Sequence, residues 1–288
     1  MSYLDEVARL IRHEYLKNEP RWISESTISS EDMAFLEKEC KIDSEFDPLH
    51  TRQQLLSQFK KGHAPYEVKH CIYGQVIVIY ENEEQKNDIP WGLWGRILRM
   101  YTAEGTSSSK PFKIYFLANT HLRIAPPLGK KIEPQHINGG YTYPCNHETI
   151  MIYRAEDATR VLLHELMHSS CMDHMEHGVD RVEAETEAWA ELLYIGFLSQ
   201  GNRVRFNHLH QLQSDWIQTQ NQLVKKHVKR PMDFPARYTL EKEKIWQKWG
   251  IVLPYAHIVN AGRSLRLTVP PYPTLKKQWK VSSSSTIL

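Results

Sequence analysis

Residues 161–174 read VLLHELMHSSCMDH: three histidines, one glutamate and one cysteine in fourteen positions. The segment has apolar VLL at core spacing and follows a strand-like stretch, so it is expected to be a helix. On a helix, residues four apart share a face. His164 and His168 therefore point the same way, one turn apart, and can reach one Zn²⁺. Glu165 follows His164 by about 100° of rotation. That offset suits a water on the metal better than the metal itself. This is the H-E-x-x-H pattern, in which the metal lowers the pKa of a water to about 7 and the glutamate acts as general base. The competing reading is a His-rich helix with a purely structural role, since the chain carries 15 histidines.

A catalytic zinc needs three protein ligands and one open position. The expected third ligand is Glu187, in TEAWAEL on a second helix predicted over DRVEAETEAWAELLYIGFLSQ. Glu183 shares its face and is the closest rival. Glu191, one turn further on, is expected to hydrogen-bond the other ring nitrogen of a ligand histidine. His174 is a further alternative: HELMHSSCMDH has the spacing H-E-x-x-H-x-x-G-x-x-H, with Cys171 where glycine belongs. That glycine normally takes φ > 0, which cysteine disfavours, and the Met-turn that pattern needs has only Met232 to offer. Asp173 is an oxygen donor that nothing singles out. Glu183, Glu187 and Glu191 form an i, i+4 stripe of like charge, which is mildly repulsive unless a cation lies nearby.

Outward from the motif, helices are expected over residues 3–17, SSEDMAFLEKEC and TRQQLLSQFKK. Next come a buried strand in GQVIVIYEN, a helix in WGLWGRILRMYTAE, a loop in EGTSSSKP and a strand in FKIYFLAN. HINGGYTYP suits an edge strand, and TIMIYR a further strand. The order implies an α+β fold, a small mixed sheet packed on the H-E-x-x-H helix. Three parts are expected: a helical region over 1–66, a core over 67–200, and a mainly helical C-terminal part with a tail over 201–288.

With 288 residues, 41% apolar and 24% charged, the composition is that of a globular chain. The formal charge of +2 disfavours a nucleic-acid partner. No apolar run is long enough to span a membrane, and the N-terminus has no signal-peptide pattern. Cys40, Cys71, Cys145 and Cys171 form no CxxC pair and are expected to be reduced thiols in a cytoplasmic protein, or in a virion interior if the protein is viral.

HELMH followed by TEAWAE resembles the gluzincin branch of zinc metallopeptidases. The resemblance implies a zincin-like core, His164, His168 and Glu187 as ligands, Glu165 as base, Glu191 supporting a ligand, and HINGGYTYP as the edge that pairs with an extended substrate. The motifs cover about thirty residues and the zincin-like pattern residues 67–200. The whole chain also resembles metallopeptidase-like proteins of large DNA viruses. Gluzincins use a Tyr or His to steady the oxyanion, and Tyr238, Tyr255 and His257 are the candidates here. The expected function is thus a zinc-dependent peptidase acting on a peptide or protein. The alternative is a catalytically silent zinc scaffold, structural or interacting, such as a virion component.

Overall fold

The computed structural model describes residues 2–102, 110–228, 234–257 and 260–269. Most of the expected EGTSSSKP loop, Met232 and the SSSSTIL tail lie outside these. The chain begins with α1 (Tyr3–Leu16), opened by a capping box in which Ser2 and Asp5 satisfy each other's backbone N–H. Strand β1 (Ile23–Glu25) follows, then α2 (Ser30–Lys41), capped by Ser29, and α3 (Thr51–Lys60). Next come β2 (Tyr66–Cys71), β3 (Gly74–Tyr80), α4 (Trp91–Tyr101) and β4 (Phe112–Ala118). The site region comprises β5 (Gly140–Tyr141), β6 (Ile150–Ile152), α5 (Ala158–Ser169) and α6 (Val179–Ser199). Three further helices follow: α7 (Arg203–Val224), α8 (Phe234–Tyr238) and α9 (Leu240–Lys248).

The six strands form one mixed open sheet in the order β1-β2-β3-β4-β6-β5. β3, β4 and β6 run parallel, while β1, β2 and β5 add antiparallel partners at the two sides. β3 and β4 are covered on both faces, which explains their unbroken apolar sequences. Val76, Val78, Ile114, Phe116, Ile150 and Ile152 face one layer of helices with Ile97, Leu162 and Leu166. Ile77, Ile79, Tyr115, Leu117 and Met151 face the other, built on Leu36, Leu55 and Leu56. The expected mixed sheet against helices is present, with helices on both of its faces.

The larger core runs from Val7 in α1 to Ile251 after α9. It crosses both expected boundaries, 66/67 and 200/201. The N-terminal region also supplies a strand of the sheet, since Ile23 pairs with His70 and Glu25 with Val68.

Two packing features fix the site. Leu162, Leu163 and Leu166 on α5 are fully buried, each worth about 1.5–3 kcal/mol, so the histidine-bearing helix is anchored on the sheet. β5 is an edge strand, as HINGGYTYP suggested, although only two of its residues are paired. Gly140 brings this edge close to α5. A Cβ there would lie 2.5 Å from Val161 Cγ1 and 3.1 Å from Glu165 Oε1.

Candidate metal centre

His164 and His168 face each other on α5, with their Nε2 atoms 3.0 Å apart. α6 packs against α5 and brings Glu183 over the pair. One of its carboxylate oxygens lies 3.4 Å from His164 Nε2 and the other 3.9 Å from His168 Nε2. One donor atom from each of the three residues falls within 4.8 Å of the other two. Both histidines are buried and Glu183 is partly so.

Glu187, the expected third ligand, lies on the other side of the ring. Its Oε1 is 3.1 Å from His164 Nδ1, close enough for an ion pair although not aligned as a hydrogen bond. Its second oxygen accepts a hydrogen bond from Arg160 Nη1. The group that could hold a metal ion is therefore His164, His168 and Glu183, with Glu187 behind the His164 ring. Glu187 and Glu183 share a face of α6, and the crossing of the two helices decides which of them meets the Nε2 edge.

The other sequence candidates separate cleanly. Asp173 oxygens lie 2.8 and 2.9 Å from His168 Nδ1, so Asp173 does for His168 what Glu191 was expected to do for a ligand. Glu191 instead pairs with Lys242 Nζ at 3.2 Å, and both are completely buried. His174 is 68% exposed at its side chain and pairs with Glu176 at 3.3 Å, away from the cluster. Cys171 adopts φ 57°, the left-handed conformation that the glycine of the alternative motif would take. Yet the chain beyond it carries Asp173, not His174, back to the site. Tyr238 lines the cleft beside Arg237. Tyr255 contacts Thr219 and His257 contacts Asp215 at 2.7 Å, both on α7 and remote from it. Arg160 and Asp173 are the site residues that sequence reasoning undervalued. Asp173 follows the motif by five residues, and no local pattern marks that role.

A cleft of about 340 Å³ opens over the cluster. One wall is the β5 edge with Tyr141, Thr142 and Pro144, and the opposite wall includes Val179, Val182 and Tyr238. Glu165 lines it beside the histidines.

The electrostatics follow from Glu165, Glu183 and Glu187 crowding round the histidine pair. His164 is pushed up to about 10: burial opposes its charge, but the Glu187 charge and contacts with Glu183 and Glu187 outweigh that. His168 is held below its ordinary value by burial and by the charge on His164. Glu165 rises to about 8, through burial and the neighbouring Glu183 and Glu187, against the pull of His164. Glu187 stays far below the usual carboxylate range despite its burial, because Arg160 and His164 flank it. Glu183 is also lowered, by its contacts with the histidines.

The donor set fits a divalent metal. Two imidazole nitrogens and a carboxylate converge, and each ring has a carboxylate at its far nitrogen. At His168 the Asp173 hydrogen bond leaves Nε2 to face the cluster.

The four cysteines need a correction as well. Cys145 and Cys171 form a disulfide, with their Cα atoms 4.6 Å apart, while Cys40 and Cys71 are free and buried. Left-handed turns at both bonded positions bring together residues 26 apart in sequence, which spacing alone does not announce. Among the described residues, no helix is long and apolar enough to cross a membrane. No protein-family model matches the chain, and neither a curated protein nor a solved structure does.

Proposed function

We propose that the protein is a zinc-dependent peptidase of zincin-like architecture. The observation that carries this reading is the convergence of His164 Nε2, His168 Nε2 and the Glu183 carboxylate at the base of a cleft bordered by a sheet edge. His164, His168 and Glu183 would hold the metal. Bound there, Zn²⁺ would supply Lewis acidity, lowering the pKa of a water to about 7 and polarising a substrate carbonyl. Glu165 takes the proton from the attacking water and passes it to the leaving amine. Its high proton affinity in the metal-free cleft is offset by a neighbouring cation, which favours the carboxylate. The free edge of β5 hydrogen-bonds an extended peptide over residues 137–144. Gly140 allows that edge to lie close to Glu165. Tyr238, in the cleft wall, would donate to a developing oxyanion.

Metal analysis of the purified protein, followed by cleavage assays with a mixed peptide library, tests this reading. The expected result is one zinc per chain, lost in His164→Ala and Glu183→Ala, with cleavage abolished in Glu165→Gln while zinc is retained. Zinc bound equally well by the first two variants overturns the site. Zinc retained without cleavage by the parent protein leaves the scaffold alternative in its place.

A further inference from the structure

The Cys145–Cys171 disulfide sits where the cleft wall meets the end of the histidine helix. Cys171 is the first residue beyond the helix cap Ser170, and its N–H donates to the His168 carbonyl at 3.2 Å. The Cys145 N–H donates to the same carbonyl at 3.0 Å. Both cysteines are held at positive φ, 60° for Cys145 and 57° for Cys171, a conformation unfavourable for a residue with a Cβ. Three residues before Cys145 in the chain, Thr142 lines the cleft, and so do Tyr141 and Pro144. Two residues after Cys171, Asp173 holds His168 Nδ1. The covalent loop encloses β6 and all of α5. Both bonded cysteines are solvent-exposed, whereas Cys40 and Cys71 are buried. Burial also pushes the Cys40 thiol up to about 12, so it does not compete in exchange. Exposed disulfides are the ones open to thiolate attack.

We propose that this disulfide is a redox-operated clasp controlling the site. A dithiol reductant attacks one sulfur, forms a mixed disulfide, and closes on itself. Two electrons and two protons pass to Cys145 and Cys171, which become thiols, and the reductant leaves as its own disulfide. Without the covalent bond, the two left-handed turns relax. The wall over 141–146 separates from the helix end, and Asp173 loses its fixed place at His168. The oxidised protein therefore holds metal and peptide, and the reduced protein holds them weakly. The effect on metal rests on the reading of His164, His168 and Glu183 as a metal site. The movement of the wall does not.

The test has two independent readouts. Amide hydrogen exchange of the metal-free protein, oxidised and dithiothreitol-reduced, reports the clasp itself. Exchange at 141–147 and 170–174 should rise at least about tenfold on reduction, with α1 and β3 unchanged. Zinc affinity, measured by competition with a chromophoric chelator, should fall about 10- to 100-fold in a Cys145→Ser/Cys171→Ser variant. Asp173→Asn should reproduce that fall while leaving exchange at 141–147 as in the oxidised parent. Equal exchange in the two redox forms overturns the clasp. A change in exchange with no zinc bound by either form upholds the clasp and removes the metal reading instead.

Discussion

Glu187 and His164 meet at Oε1 and Nδ1, 3.1 Å apart, on the ring edge opposite the one that faces His168. The carboxylate that looks most like a ligand in the sequence therefore lies behind the His164 ring, away from the cluster. The two glutamates should separate in a chelator-competition titration. Glu183→Gln removes a donor and should abolish tight zinc binding. Glu187→Gln should weaken it only about 10- to 100-fold, with one zinc still bound at saturation. Indistinguishable titrations for the two variants would contradict the assignment.

Lys242 and Glu191 are completely buried and paired at 3.2 Å. Replacing one partner strands the other charge, so Lys242→Met should cost about 3–5 kcal/mol in urea unfolding. The double variant Lys242→Met/Glu191→Gln should recover most of that loss. Additive losses in the double-mutant cycle would show that the pair is not coupled.

Stability of the metal-free protein should peak in weakly acidic solution. His164 has a folded pKa raised from 6.5 to about 10, so its contribution is complete below 6.5 and is lost as pH climbs to 10. Glu165 and Glu191 are raised from 4.5 to about 8 and about 7. Burial drives both, and each makes the fold less stable as pH rises from 4.5 through those values. On the acid side, Glu183, Glu187 and His168 are depressed. The two glutamates lose their contribution as pH falls below 4.5, and the histidine loses its own as pH falls below 6.5. The melting temperature of chelator-treated protein should thus be highest between about pH 4.5 and 6.5. Added zinc should raise it most at pH 8 to 9, where His164 gives up its proton easily. A melting temperature of the metal-free form that climbs steadily to pH 9 would refute this balance.

Tyr238 is largely buried in the cleft wall. If it steadies an oxyanion, Tyr238→Phe should lower kcat about 10²- to 10³-fold. KM and zinc content should change little. A loss confined to KM would make it a substrate-binding residue instead.

Much of this architecture is written locally in the chain. The apolar spacing of Val7, Ala8 and Ile11 announces α1, the SSEDMAFLEKEC stretch announces α2, and the uninterrupted apolar runs of β3 and β4 announce buried strands. The histidine pair and Glu165 are legible because helical periodicity alone sets their relative directions. What escapes is whatever depends on how elements meet. α7 spans 22 residues, and its buried face mixes Phe206, Leu209, Trp216 and Val224 with Gln213, Ser214, Asp215, Gln220 and Asn221, so polar residues dilute its apolar period. β1 has three exposed residues and exists because β2 offers it an edge. Glu183 and Glu187 differ by one turn, about 5.4 Å along the axis, and only the docking of α6 on α5 chooses between them. Cys145 and Cys171 meet through two backbone turns that cysteine does not favour, so nothing in their spacing foretells the bond.

Three of the four glutamates of α6 each answer a different cation: Glu183 the paired imidazoles, Glu187 the Arg160 guanidinium, Glu191 the Lys242 ammonium. They act like three teeth of one key, so the helix has a single permitted phase. Sliding or rotating it by one residue would mismatch all three at once. Beyond Asp173, the connection from α5 to α6 can change length and leave these three pairings in register, while an insertion inside α6 between residues 183 and 191 would break them.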